Sequence, residues 1–405
     1  MSTHSVDASA VDKRAEREVL RAEVRSWLDT HAPSKGSPAD FSSIHVVSAS
    51  TIEDFEARER HALEITRSWQ RKLFDAGWAG RSWPQAYGGG GGQPWESEIV
   101  ADEQTGYGVS TKMLAVALEM APPVLLEHGT HDLRIKHLPR ILRGEEAWCQ
   151  LLSEPDAGSD LMSVRTTATR TDAGWTVSGQ KVWTSGAVGA DYALLLARTE
   201  GSDLGRGGVS FFALAMKQDG VTVRPLRQMS GGYHFNEVFL DQAFVPDASL
   251  IGELGGGLAV LRTMLASERA AIGGGTSARS AAQLRAMAEG LGRANEPMVR
   301  QELVLAYTRE RLLDMMMARA ATIAAGGPLT KLLYSEHARL SGNAAMSILG
   351  AHATLTGQAT SQPWLDRFLF APGLRLGGGT DEIQRTTIAE RGLGLPREPR
   401  PQPPR

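Results

Sequence analysis

Apolar positions change period twice along the chain, and the two changes divide it into three parts. From Val11 to Thr30 the residues Val19, Leu20, Val24, Trp27 and Leu28 recur at helical spacing, and His31-Ala32-Pro33 ends the pattern. Ser34 to Ser50 is rich in Ser, Pro and Ala and reads as irregular. Helical periodicity resumes over Ile52 to Gly77, breaks at Trp83-Pro84 and the glycines that follow, and returns from Pro94 to Arg143 with an interruption at Pro122-Pro123. This predicts a helical first domain over 10–146.

After Gly144 the period shortens. Runs rich in β-branched and aromatic residues alternate with turn signals: Trp175 to Trp183, Tyr192 to Thr199, Val209 to Met216, Val221 to Pro225 and Asn236 to Leu240, punctuated by Asp219-Gly220 and Gly205 to Gly208. A small antiparallel barrel or sandwich over 147–252 is the expectation. From Gly257 helical patterns return over Gly257 to Gly292, Met298 to Ala325, Leu329 to His352 and Thr380 to Arg391, which suits a four-helix bundle over 253–395. The fold class is therefore α+β, in the order helical, β, helical. Pro396 to Arg405 reads as a disordered tail, and no internal repeat is visible.

Composition narrows the function. With 405 residues and 42% hydrophobic content the chain can hold two or three domains with a large core. A formal net charge of −3 with both signs interspersed offers no basic stripe for nucleic acid or an anionic membrane, so a small molecule is the expected partner. Cys149 is the only cysteine, which excludes an intramolecular disulfide and favours a reducing compartment. Its neighbours Trp148 and Leu151 favour a buried inert thiol over a nucleophile. No signal-peptide pattern and no run of 18 apolar residues occur, so the expected location is cytoplasmic, without membrane insertion.

Two motifs carry the chemistry. The first is Ser153-Glu154-Pro155-Asp156-Ala157-Gly158-Ser159-Asp160, where small hydroxyls, glycine and backbone N–H groups can meet a polar ligand. The second, Gly179-Gln180-Lys181-Val182-Trp183-Thr184-Ser185, sets an indole and two hydroxyls at the end of a strand, where a flat ring can stack. A third segment follows near the C-terminus: Gly378-Gly379-Thr380-Asp381-Glu382-Ile383-Gln384-Arg385. Together these resemble the acyl-CoA dehydrogenase family, over about Ala10 to Pro396.

The resemblance implies that family's three-domain fold and an FAD held without a glycine-rich nucleotide loop. The glycine run Gly88 to Gly92 follows no predicted strand and lacks a Lys-Ser/Thr ending, so it reads as a flexible connector. Carried over position by position, the resemblance offers Leu152, Ser153, Gly158 and Ser159 as flavin contacts. Trp183 would lie against the ring and Ser185 near the atom that receives hydride. Ser347, Gly350, Thr380 and Glu382 complete the cofactor set. A tryptophan packed inside the barrel is the competing reading of Trp183. Glu154 with Pro155 is expected to shape the loop, not to do chemistry.

Dehydrogenation of an acyl thioester needs a carboxylate to take the α-proton while the β-hydrogen leaves as hydride. Many family members place that glutamate just before the Gly-Thr of the C-terminal motif, where this chain has Gly378. Other relatives carry it on the first helix of the bundle directly before an arginine, which is Glu268-Arg269 here. The resemblance therefore makes Glu268 the catalytic base. It also offers Ser159, Arg269 and Arg206 as substrate contacts, a solvated arginine being the competing reading of Arg206. His128 and His131 lack a partner set for a metal.

The chain departs from the family twice. An Arg-x-x-Phe-Gly segment that reaches a neighbouring subunit's flavin reads Arg293-Ala294-Asn295-Glu296-Pro297-Met298 here, without Phe-Gly. The usual glutamine of a later glycine motif is Ser347 in Ser347-Ile348-Leu349-Gly350-Ala351. Both look like changes in bacterial dehydrogenases for bulky CoA thioesters, some assembled from two different subunits. The implied reaction is α,β-dehydrogenation of an acyl-CoA or acyl-carrier thioester to the trans-2-enoyl product, with electrons passed to an electron-transfer flavoprotein. A homo- or hetero-oligomer is expected. An oxidase or monooxygenase on the same fold, or a non-catalytic partner subunit, is the alternative.

Overall fold

The structure is a computed structural model that describes residues 8–44, 49, 51–199, 208–273, 280–358 and 360–397, with side chains for these except 8–13 and 269–273. It divides into two compact units, Met1–Leu261 and Arg262–Arg405. No described helix is long and apolar enough to cross a membrane.

The first unit begins with helices α1 (Ala8–His31), α2 (Ile52–Asp75), α3 (Pro94–Gln104), α4 (Ala121–His128) and α5 (His131–Leu142). Thr51 starts α2 by accepting the Asp54 N–H, and Thr130 starts α5 by accepting that of Leu133. Leu20, Val24 and Leu28 of α1 meet Trp69 and Leu73 of α2 and Ile99 and Val100 of α3 in one core. The Gly88 to Gly92 run is not a flexible connector. Gly90, Gly91 and Gly92 donate to the carbonyls of Gly80, Trp83 and Arg81, and a Cβ at Gly89 would lie 2.3 Å from the Trp83 carbonyl oxygen. Glycine is needed because two backbone stretches lie flat against each other.

The eight strands β1 (Trp148–Leu151), β2 (Thr167–Thr171), β3 (Gly174–Ser185), β4 (Tyr192–Thr199), β5 (Val209–Ala215), β6 (Val221–Leu226), β7 (Phe235–Pro246) and β8 (Leu250–Ile251) form one sheet, in the order β6-β7-β3-β2-β4-β5-β8 with β1 also on β4. The sheet is mixed, which corrects the antiparallel expectation. β1 pairs in parallel with the start of β4 (Leu151 with Leu195), and β2 in parallel with its end (Thr167 with Arg198). Residues 152–166 thus leave and rejoin the same edge of one strand, and this excursion contains the first motif. Trp175, Val177, Leu195, Phe212, Val238 and Val245 are among the residues that fill the sheet's inner face.

The second unit takes up helix α6 (Gly257–Gly273), which begins in the first, and continues with α7 (Ala281–Gly290), α8 (Pro297–Arg319), α9 (Gly326–Leu349), α10 (Gln362–Leu376) and α11 (Asp381–Thr387). Its core joins Leu284 of α7, Val299 and Ala306 of α8, Ala345 and Ile348 of α9 and Trp364 of α10. Helix α10 is absent from the sequence expectation, and it carries Pro372 in its interior. Pro363 sits in the first turn, where its missing N–H costs nothing. The expected helix Gly257 to Gly292 is two helices around 274–279, which lie outside the described residues, as do 398–405 of the expected tail.

Candidate active site

The excursion between β1 and β2 is tied to β3 at its first residues. Lys181 Nζ, fully buried, donates to the Leu152 carbonyl at 2.9 Å and to Glu154 Oε1 at 2.8 Å, while the Val182 N–H bonds the Ser153 carbonyl. Glu154 also accepts the N–H groups of Arg165 (2.6 Å) and Thr166 (3.0 Å), where the excursion returns. Burial pulls the Lys181 ammonium down to about 8, with Glu154 opposing the shift. Burial pushes Glu154 up, but Lys181 and the two N–H groups outweigh it and hold the carboxyl below the ordinary range. Gly179 makes the return possible, since a Cβ there would lie 2.4 Å from Thr166 Oγ1. The expectation that Glu154 shapes the loop has this geometry behind it.

Two residues further along β3 the strand bulges. Lys181 pairs with Val238 and Thr184 with Asn236, so β3 carries one residue more than β7 across this step. Trp183 takes up the misfit with φ +64, a left-handed backbone that a bulky residue adopts only under constraint. Asn236, fully buried, donates to the Thr184 carbonyl at 2.9 Å and supports the bulge. The indole is 61% exposed and meets only the edge of Phe235 among described rings, at 5.9 Å and 89°. It does not pack in the barrel core. Ser185 follows, exposed and level with Phe235. Ser153 is half-buried, whereas Gly158 and Ser159 are exposed further along the excursion, with open space around Gly158.

In the second unit Thr380 is the N-cap of α11, accepting the Ile383 N–H. Asp381 is 1% exposed and takes hydrogen bonds from Lys331 Nζ (2.9 Å), Ser335 Oγ (2.6 Å) and Arg375 Nε (2.7 Å). These partners, Arg375 foremost, outweigh burial and lower its pKa. Asp381 therefore fixes the loop and presents nothing to a ligand, while Glu382 is exposed beside Arg385. Gly378 and Gly379 have φ +66 and +86, so a glutamate at 378 would sit in a left-handed backbone at a cost of about 1 kcal/mol or more.

Glu268 lies half-buried on α6, beside Ser267, whose hydroxyl bonds the Thr263 carbonyl. The Arg269 side chain and all of Arg206 lie outside the described residues. Arg293 is committed within the unit: it pairs with Glu296 and donates to the Ser347 and Ile348 carbonyls, capping the end of α9. Ser347 and Gly350 are both exposed there. Cys149 is fully buried, and burial pushes its thiol far above the ordinary value, as expected of an inert cysteine. Sequence reasoning missed the roles of Lys181 and Asn236, although Lys181 stood inside a motif it quoted.

The comparisons with known proteins agree throughout the chain. Residues 43–145 match the N-terminal domain of acyl-CoA dehydrogenases, 149–243 the middle domain and 255–393 the C-terminal domain. Acyl-CoA dehydrogenase IpdE1 of Mycolicibacterium smegmatis is 34% identical over 396 residues, covering 94% of this chain and 98% of its own. Among solved structures, the Tcur3481-Tcur3483 steroid ACAD superposes with a TM-score of 0.74 at 26% identity, covering 95% of this chain and 98% of the other. A glutaryl-CoA dehydrogenase from Mycobacterium smegmatis in complex with FADH2 shares the fold, with a TM-score of 0.66 at 19% identity over 93% and 94% of the two chains. The chain belongs to the acyl-CoA dehydrogenase family, a family of flavoprotein oxidoreductases.

Proposed function

We propose that this enzyme binds FAD and dehydrogenates an acyl-CoA thioester between Cα and Cβ to the trans-2-enoyl-CoA, with an electron-transfer flavoprotein as acceptor. The observation that carries the reading is Trp183: a strained backbone holds an apolar ring outside the core, on a bulge anchored by a buried ion pair. An isoalloxazine ring fits that surface, with hydroxyls nearby at Ser153 and Ser185 for its polar edge. Gly158 and Ser159 leave the excursion open for the rest of the cofactor, and Thr380, Glu382, Ser347 and Gly350 are the candidates from the second unit. FAD, when bound, supplies the hydride acceptor.

Glu268 takes the α-proton. Gly378 has no side chain to do so, and Asp381 is saturated by three donors. Arg269 and Arg206 are the proposed thioester contacts together with Ser159. The steroid ACAD among the neighbours supports a bulky, ring-bearing acyl group. Its two-component name and the commitment of Arg293 to its own unit support assembly with a second subunit of the same family.

The test is anaerobic mixing of the FAD-loaded protein, alone and with its co-expressed partner subunit, with a panel of acyl-CoA thioesters. Bleaching of the oxidised flavin by ring-bearing members is the expected result. A flavin that no thioester reduces, in either preparation, defeats the reading.

A further inference from the structure

The first unit carries an open cavity of about 340 Å³ between the end of α1, the chain that follows it and one side of α2. That volume falls in the range of small-molecule sites. Phe41 and Trp69 line it edge to face, with ring centroids 6.3 Å apart, and Pro33 and Ile65 add apolar surface. The Trp69 indole N–H is already given to Gln104 Oε1 at 2.9 Å, so the ring offers the cavity apolar surface alone. This wall is formed in advance. The Phe41 N–H bonds the Gly108 carbonyl, the Gly108 N–H bonds that of Pro33, and Asp40 accepts the N–H groups of Gly36 (2.6 Å) and Ser42 (2.8 Å). A ligand here meets a shape already fixed, which lowers the ordering cost of binding.

The polar side of the cavity is set by α2. His61, Glu64, Ser68 and Lys72 follow one stripe of the helix, and all four are exposed lining residues. Other cations of this helix are committed: Arg58 pairs with Asp54, Arg60 with Glu56 and Arg67 with Asp191. Lys72 and Ser68 have no hydrogen-bond or ion-pair partner among the described residues. Glu64, the acid in the lining, stands eight residues before Lys72, about 12 Å along the helix. An unpaired ammonium at one end of an aromatic-walled cavity, with the acid at the other, is complementary to an anionic group on a flat apolar body.

We propose that this cavity is a second ligand site, which takes a planar aromatic carboxylate with its ring against Phe41 and Trp69 and its carboxylate on Lys72. The lining residues fall between His31 and Lys72, and none is among those proposed for flavin or thioester. The site therefore stands or falls separately from the acyl-CoA reading. An uncharged aromatic body fits the same walls but leaves Lys72 without a partner, so the carboxylate is what the site selects.

The experiment titrates the FAD-loaded protein with 2-naphthoate and with 2-naphthamide, its uncharged analogue, by isothermal calorimetry. Naphthoate should saturate one site with a Kd of about 1 mM or tighter. Naphthamide should bind about fivefold more weakly, the scale of one exposed ion pair. Lys72→Gln keeps a donor and removes the charge, so it should bring that preference to within about twofold of unity. Ser68→Trp, with Ser68→Phe as a second filling variant, should abolish binding, and flavin content and absorption should be unchanged in every variant. Absence of saturation, a carboxylate preference unmoved by Lys72→Gln, or binding retained in whichever filling variant folds overturns the inference. Naphthoate held in the flavin site instead would give the last of these results.

Discussion

The excursion after β1 and the inner face of α2 each bury a glutamate in the first unit, 7% exposed for Glu154 and 5% for Glu59. Glu154 collects a lysine and two backbone N–H groups and is pulled below the ordinary carboxyl range, while the Oε2 of Glu59 collects no donor among the described residues and the group is pushed up to about 7. Asp381 in the second unit follows the Glu154 pattern with Lys331, Ser335 and Arg375. Where a carboxylate fixes a loop, the chain saturates it. Where no donor reaches a buried acid, desolvation dominates its titration, as at Glu59.

The largest effect should follow from breaking the saturated pair. Lys181→Met leaves Glu154 buried without its cation and should destabilise the first unit by about 3–5 kcal/mol, with loss of FAD retention, read by thermal unfolding and by flavin content after gel filtration. A small change in both would mean that the pair is dispensable to the loop.

Glu59 should behave in the opposite sense. Its folded pKa lies above the ordinary glutamate value of 4.5, so its protonation favours the fold. That contribution is fully present below about 4.5 and is lost as pH rises through about 7, a swing of about 3 kcal/mol at most. Glu59→Gln removes it. The stability difference between variant and wild type should therefore grow in the variant's favour from pH 5 to pH 8, by chemical denaturation; a difference independent of pH would place the carboxyl in water.

The smallest effect on stability concerns the bulge. Trp183→Gly relieves the left-handed backbone, worth about 1 kcal/mol, and so should leave the melting temperature level or slightly higher while weakening FAD binding. A loss of stability without a change in FAD affinity would make the indole a packing residue.

The three-part order of the fold was legible because the hydrophobic period itself switches. The parallel pairings of β1 and β2 were not, since no local pattern tells that a loop returns to the edge it left. Trp183 was legible as a residue of interest but not as a bulge, because a bulge is a mismatch between two strands distant in sequence. Glu59 did leave a signal that went unread: an acid in the apolar stripe Phe55, Glu59, Ala62 of an otherwise amphipathic helix. The second-unit residues were found only through the family resemblance, and nothing in local spacing separates Glu268 from the other 45 of the chain's 46 acidic residues.

The most direct test of the account is therefore the rate at which a thioester reduces the flavin of Glu268→Gln, measured anaerobically by stopped flow. The substitution keeps the side chain's size and removes its basicity. The account predicts a fall of about 10² or more with FAD content and thioester binding retained. Reduction at a rate close to wild type would contradict it and return the search for the base to the rest of the chain.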